Sequence, residues 1–192
     1  MKKILVLIVL LFSFSAHAIG YKKFAPYVGI NGGLNVVNYS FETNLKDIYY
    51  SATLNAGARI GRKFGAELFF THSSANELMH TSDFFVVNHE VYYIGYGADF
   101  YGYYNISREF DFFMTLGIAN YKTYNTYEYI DPSESFADEI SVNNVCARIG
   151  VGVMYTFLVD GVSALARFQY IPTNNELIKT MSEFSVGMRY IF

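Results

Sequence analysis

The sequence predicts an all-β chain, an eight-stranded antiparallel up-and-down transmembrane β-barrel. Three observations predict it: apolar residues alternate with small or polar ones in eight segments, the connections alternate between long and short, and an export signature opens a chain that closes on an aromatic strand. A period of two sends successive side chains to opposite faces of a strand, so each segment has one continuous apolar face. Composition agrees, because 18 Tyr, 18 Phe and 15 Gly against 3 Pro suit strands and tight turns rather than helices. So many aromatic rings exceed what one small water-soluble core can hold.

At the N-terminus Lys2 and Lys3 precede an apolar run from Ile4 to Phe14, and Ala16-His17-Ala18 supplies small residues where a signal peptidase cuts. Residues 1–18 are expected to be a cleaved signal peptide, since the run is shorter than the ~20 residues of a spanning helix. The expected barrel then occupies residues 19–192. Loss of Lys2 and Lys3 takes the formal charge from −3 to −5, with 12 basic against 17 acidic residues. An acidic chain gives no support to nucleic-acid binding. Cys146 is the only cysteine, so no disulfide supports the fold.

The segments follow in order. Val28, Ile30, Gly32, Leu34 and Val36 oppose Gly29, Asn31, Gly33 and Asn35; then Tyr50, Ala52, Leu54, Ala56, Ala58 and Ile60 oppose Ser51, Thr53, Asn55, Gly57 and Arg59. In the third, Ala66, Leu68 and Phe70 oppose Gly65, Glu67 and Thr71, with Phe69 breaking the pattern. The fourth sets Tyr92, Ile94, Tyr96, Ala98 and Phe100 against Tyr93, Gly95, Gly97 and Asp99, and the fifth sets Phe112, Met114, Leu116 and Ile118 against Thr115, Gly117 and Ala119. Val145, Ala147, Ile149, Val151, Val153 and Tyr155 oppose Cys146, Arg148, Gly150 and Gly152 in the sixth. In the seventh, Ala164, Ala166, Phe168 and Tyr170 oppose Ser163, Arg167 and Gln169. The eighth sets Phe184, Val186, Met188, Tyr190 and Phe192 against Ser185, Gly187 and Arg189.

Four longer polar connections are expected at 37–48, 73–88, 122–141 and 171–181, and short ones at 61–63, 103–109 and 158–161. Long on one rim and short on the other is the asymmetry of an outer-membrane barrel, with external loops opposite periplasmic turns. A soluble barrel or sandwich would turn its polar face to water. Here the polar face is mostly glycine and small residues with a few charges, and the aliphatic face is the broad one. In lipid every backbone group must be paired within the protein, and strands achieve this only by closing.

On "PYVGINGGL", "LNAGARIGRKFGAELFF", "ARIGVGVMY" and "SVGMRYIF" the chain resembles the small outer-membrane β-barrel family of OmpA/OmpX and opacity-type surface proteins, over residues 24–192. The resemblance implies a bacterial outer-membrane location and a surface role such as envelope integrity, adhesion or host interaction. It implies outer-membrane lipid or lipopolysaccharide around the wall, and a host or matrix ligand as a candidate partner for the external loops. It also implies that Phe184, Val186, Met188, Tyr190 and Phe192 form the terminal signal read by the barrel assembly machinery.

Within the lumen Arg59, Glu67, Asp99, Arg148, Arg167 and Arg189 form the candidate charge network, and Arg59 and Glu67 sit where they can pair across the first short turn. Buried charge is costly unless paired or hydrated, so the first reading is an ion-pair network filling a narrow barrel. The alternative is a narrow, weakly anion-selective porin, favoured by four arginines against two carboxylates. A lipid A-modifying enzyme is the third reading, resting on His72 and Ser74 in "THSSAN"; lipid A deacylases carry such a pair near the C-terminus, where this chain reads "RFQYIPTNNE". The chain is therefore expected not to be an enzyme, and nothing calls for a cofactor. His72, His80 and His89 match no compact zinc spacing. The third long connection is acidic, with Glu128, Asp131, Glu134, Asp138 and Glu139 beside Lys122. Tyr27, Tyr50, Tyr101, Tyr103, Tyr155, Tyr170 and Tyr190 are expected in interfacial girdles, and Cys146 faces inward as a packing residue.

Overall fold

In the computed structural model, which describes residues 24–40, 43, 45–81, 86–130, 135–157 and 161–192, the alternating segments are all strands. The expected signal peptide, 1–18, lies outside the described residues. Nine strands follow one another: β1 (Phe24–Tyr39), β2 (Ile48–Ile60), β3 (Phe64–Ser73), β4 (Asn76–Thr81), β5 (Val86–Asn105), β6 (Phe110–Ile130), β7 (Ser135–Thr156), β8 (Val162–Ile171) and β9 (Ile178–Ile191). They make eight staves, because β3 and β4 pair with successive stretches of β5 and are parted only by Ser74 and Ala75. Every neighbouring pair is antiparallel, and the pairing of β1 with β9 closes the ring.

Closure satisfies the backbone. Thirteen residue pairs from Tyr27↔Ile191 to Tyr39↔Ile178 join the two ends of the chain. The terminal residue takes part, since the Phe192 amide donates to the Pro26 carbonyl at 2.9 Å and the Ile191 amide to Gly161 at 2.7 Å. An aromatic end is thus a structural part of the wall rather than a frayed tail. Gly61 and Gly161 turn the chain at the short rim with φ of 62° and 67°, a conformation that side chains with a Cβ resist.

The two faces of the wall follow the period of two. Ile30, Leu54, Leu68, Phe100, Leu116 and Met188 point outward and are exposed, as a lipid-facing surface requires. Their neighbours Asn31, Asn55, Glu67, Asp99, Thr115 and Arg189 are buried in the lumen. Phe69 keeps the period and turns inward, against its composition. Where a small residue is needed the reason is local: a Cβ on Gly117 would run into the Asp99 carboxylate.

The long rim departs from the expected loops. Residues 122–130 and 135–141 are strand, not loop, and so are 76–81 and 86–88. A tilted strand crosses a bilayer in about 9–11 residues, whereas β6 and β7 run for 21 and 22. Their outer halves, with those of β4 and β5, therefore continue beyond the lipid as a sheet. The period of two persists there, but polar composition conceals it.

Leu116 lies midway along the lipid-facing part of β6 and Phe136 in the external sheet. Leu116→Arg is expected to cost about 2–4 kcal/mol in lipid vesicles, measured by urea unfolding, while Phe136→Arg leaves the midpoint nearly unchanged. Equal effects would place Leu116 outside the hydrocarbon.

Candidate functional site

The lumen is occupied in layers. Nearest the short rim, Arg59 bridges Asp111 at 2.6 Å and donates to the Arg62 carbonyl at 2.9 Å, while Asn105 also donates to Asp111. The expected pairing of Arg59 with Glu67 does not form. Antiparallel pairing puts Glu67 opposite Gly57, and the Arg59 guanidinium instead lies over the Tyr103 ring at 4.3 Å and reaches across to β6.

Glu67 is the hub of the next layer. Arg189 donates to its Oε2 at 2.6 Å, Tyr27 to the same oxygen at 3.1 Å, Tyr101 to Oε1 at 2.8 Å and Arg167 to Oε1 at 3.5 Å. Arg189 also donates to the Tyr101 hydroxyl at 2.6 Å and sits over the Tyr27 and Tyr101 rings. Above it, Arg167 donates to Asp99 at 3.3 Å and lies 3.7 Å from Glu183, and Gln169 links Asp99 to Arg148. Arg148 lies 3.7 Å from Asp99 and 3.7 Å above the Phe69 ring.

The six expected lumen residues are thus brought to one interior, and two carboxylates join them, Asp111 and Glu183. Four arginines meet four carboxylates, so the network is neutral. Both added residues continue an inward register, Asp111 before Phe113 and Thr115, Glu183 before Ser185 and Gly187. The same register corrects the tyrosines. Tyr27, Tyr101 and Tyr103 are buried in the lumen at 3%, 2% and 7% exposure, where their hydroxyls serve the ion pairs, and are not girdle residues. Tyr50, Tyr155, Tyr170 and Tyr190 do face outward.

The outer part of the lumen is packed instead with apolar and aromatic side chains. Tyr93 stands between Tyr49 and Tyr121 at ring distances of 5.9 and 5.7 Å, and Val91, Ile171, Ile178 and Met181 fill the space around them, with Cys146 buried in the same cluster.

Outside the membrane the even positions of β5 and β6 and the odd positions of β7 face away from the barrel axis. Glu77 pairs directly with Glu90, Glu90 with Thr126, and Thr126 with Glu139, so one row across four strands carries three carboxylates. Asp131 and Glu134 lie outside the described residues. Below that row the outward rings of His72, Tyr92 and Tyr124 stack, with Lys122 over Tyr124 at 4.4 Å. On the mouth-facing side His89 stacks on Tyr127 at 4.1 Å, and Phe136 and Ile140 are exposed.

His72 faces outward and His89 inward, so these two do not converge, and the side chain of His80 lies outside the described residues. Among the described residues no group of three His, Cys, Asp or Glu is placed to hold a metal. Ser74 accepts the Tyr50 amide at 3.2 Å, and no hydrogen bond joins it to His72 among the described residues.

The model of the outer membrane protein beta-barrel domain family matches residues 4–192. The chain belongs to that family, and with it to the bacterial outer membrane. Among curated proteins none matches the sequence. Solved barrels share the architecture at low identity. Neisserial surface protein A is 15% identical with a TM-score of 0.60, covering 87% of this chain and 97% of its own. Ail, the attachment invasion locus protein of Yersinia pestis, in complex with the heparin analogue sucrose octasulfate, is 12% identical with a TM-score of 0.59 over 88% and 99%. A major outer membrane protein from Thermus thermophilus is 11% identical with a TM-score of 0.55 over 88% and 99%. At such identities the likeness is one of fold.

The buried groups make two outcomes measurable. Glu67→Gln leaves Arg189 and Arg167 short of their shared counter-charge, and a cost of about 3–5 kcal/mol is expected in urea unfolding; a change near zero would mean that water, not Glu67, solvates them. In the external part of β5, burial pushes the His89 imidazole below its usual range, against the pull of Asn125, whose carbonyl oxygen lies 2.6 Å from Nε2. A lowered folded-state value means that the contribution is complete above about pH 6.5 and is lost as pH falls below it. His89→Asn should therefore reduce the loss of stability between pH 7 and pH 5, and an unchanged pH slope would count against this reading.

Proposed function

We propose that the barrel is a non-conducting anchor and that the external sheet built from β4 to β7 is the working part, serving attachment at the bacterial surface. The single observation that carries this reading is the filled, charge-balanced lumen. An excess of arginine is what favours a porin in the sequence, and Asp111 and Glu183 remove that excess. The aromatic cluster around Tyr93 packs on the outer side of the ion pairs, and the paired charges leave no excess of one sign for a selective ring among the described residues, which supports a closed lumen.

What the wall supports is a rigid platform. The outer halves of β5, β6 and β7 are paired without a break into the transmembrane staves, which fixes the sheet relative to the membrane. Attachment is also named for the Yersinia pestis relative in fold, which was solved with a sulfated, polyanionic heparin analogue. The outward carboxylate row of this chain repels polyanions, so a partner of the opposite sign fits it better. The terminal aromatic strand, with Phe184, Val186, Met188, Tyr190 and Phe192, is read as the signal for the assembly machinery, and its backbone role in closure supports that reading.

The test is surface display of the full chain beside a variant in which residues 124–142 are replaced by a tight turn, with correct insertion checked by heat-dependent gel mobility. Attachment to host cells or matrix is expected for the full chain and lost in the inserted variant. Equal attachment by both would overturn the reading.

A further inference from the structure

The lipid-facing wall is hollowed near the short rim, on the side formed by β1, β2, β3 and β5. Register places Pro26 opposite Ala58, Ala58 opposite Ala66 and Ala66 opposite Phe100, and the next row joins Val28 to Ala56, Leu68 and Ala98. The flanking rows are bulky: Phe24, Ile60 and Phe64 stand toward the rim, and Ile30, Leu54, Phe70 and Tyr96 stand toward the outside, all exposed. Small side chains between two bulky rows leave a cavity of about 520 Å³, lined almost wholly by apolar groups and more enclosed than the other depressions of the wall. Phe24, Phe100 and Phe192 border it, and the bond from the Phe192 amide to the Pro26 carbonyl ties the last of these to β1.

Small outward residues let a partner approach the backbone closely in a bilayer. The charge at its end says which partner fits. β2 and β3 turn through Gly61, Arg62 and Lys63, with both cations exposed, and the hairpin from Ile48 to Ala66 contains no acidic residue. Arg59 is spoken for inside the barrel by Asp111, so it does not compete for the same anion. Lys63 precedes Ala66 by three residues, about 10 Å of strand, which sets a cationic turn at headgroup level beneath an apolar groove at acyl level. We infer that the groove seats one acyl chain of an anionic glycerophospholipid from the periplasmic leaflet, whose phosphate is held by Arg62 and Lys63. A second copy of the chain fits less well. Two copies share one orientation in the membrane, so a symmetric pairing through this face brings their Arg62–Lys63 turns together at the same depth, where like charges repel. Neither the groove nor the turn belongs to the external sheet, so the inference stands apart from the attachment reading.

The test refolds the full-length protein in nanodiscs of equal phosphatidylglycerol and phosphatidylcholine, releases it, and counts retained lipid by native mass spectrometry, with folding checked by heat-dependent gel mobility. One retained phosphatidylglycerol is expected. Ala58→Phe with Ala66→Phe fills the groove from positions that already face lipid, and should lower retention about tenfold, the worth of roughly two buried methylenes. Ala147→Phe, an equal change on the outward face of β7, should leave retention unchanged. Arg62→Gln with Lys63→Gln should abolish the preference for phosphatidylglycerol. No retained lipid, retention without headgroup preference in the unaltered chain, or equal loss with Ala147→Phe overturns the inference. A dimer that Ala58→Phe dissociates also overturns it, assigning the groove to a second copy.

Discussion

A strand inside lipid has no water to satisfy its amides and carbonyls, and this requirement governs the rest of the molecule. It demands closure, and closure demands that the first and last strands meet. The register from Tyr27↔Ile191 to Tyr39↔Ile178 does this, and the amides of Ile191 and Phe192 continue it to the last residue. Once the ring has eight staves, the lumen is only wide enough for side chains. Everything placed on the inward positions must then find partners there.

That is why the interior chemistry is so dense. Arg148, Arg167 and Arg189 are fully buried, and an isolated cation in such a place would be prohibitively costly. Glu67, Asp99 and Glu183 neutralise them, Tyr27, Tyr101 and Gln169 add hydrogen bonds to the carboxylates, and Arg59 with Asp111 lies at the short rim. Glycines such as Gly117 leave room for the carboxylates on neighbouring strands. The interior serves the wall's stability, which frees the external sheet for recognition.

The transmembrane part is legible in the sequence because its signal is geometric. Alternation alone places Arg59, Glu67, Asp99, Arg148, Arg167 and Arg189 inside. Errors arise where composition outranks register. Tyr101 follows Asp99 by two and Tyr103 follows Tyr101 by two, so both have to face inward, yet tyrosine near a strand end reads as a girdle residue. Asp111 and Glu183 lie just before the stretches where alternation becomes obvious. Partnership across the lumen, such as Arg59 with Asp111 rather than Glu67, depends on stagger between distant staves and has no trace in local sequence. The external strands are hidden for another reason: both their faces lie outside the lipid, so the apolar contrast that marks a transmembrane strand is absent.

The division between a closed interior and an active exterior is the central claim, and ionic conductance across a planar bilayer tests it most directly. The refolded full-length protein, verified as a folded barrel, is expected to give a silent trace, because neutral ion pairs and the aromatic layer around Tyr93 fill its lumen. Discrete current steps that change when Arg148 and Arg167 are replaced by alanine would contradict the account and move the function into the lumen.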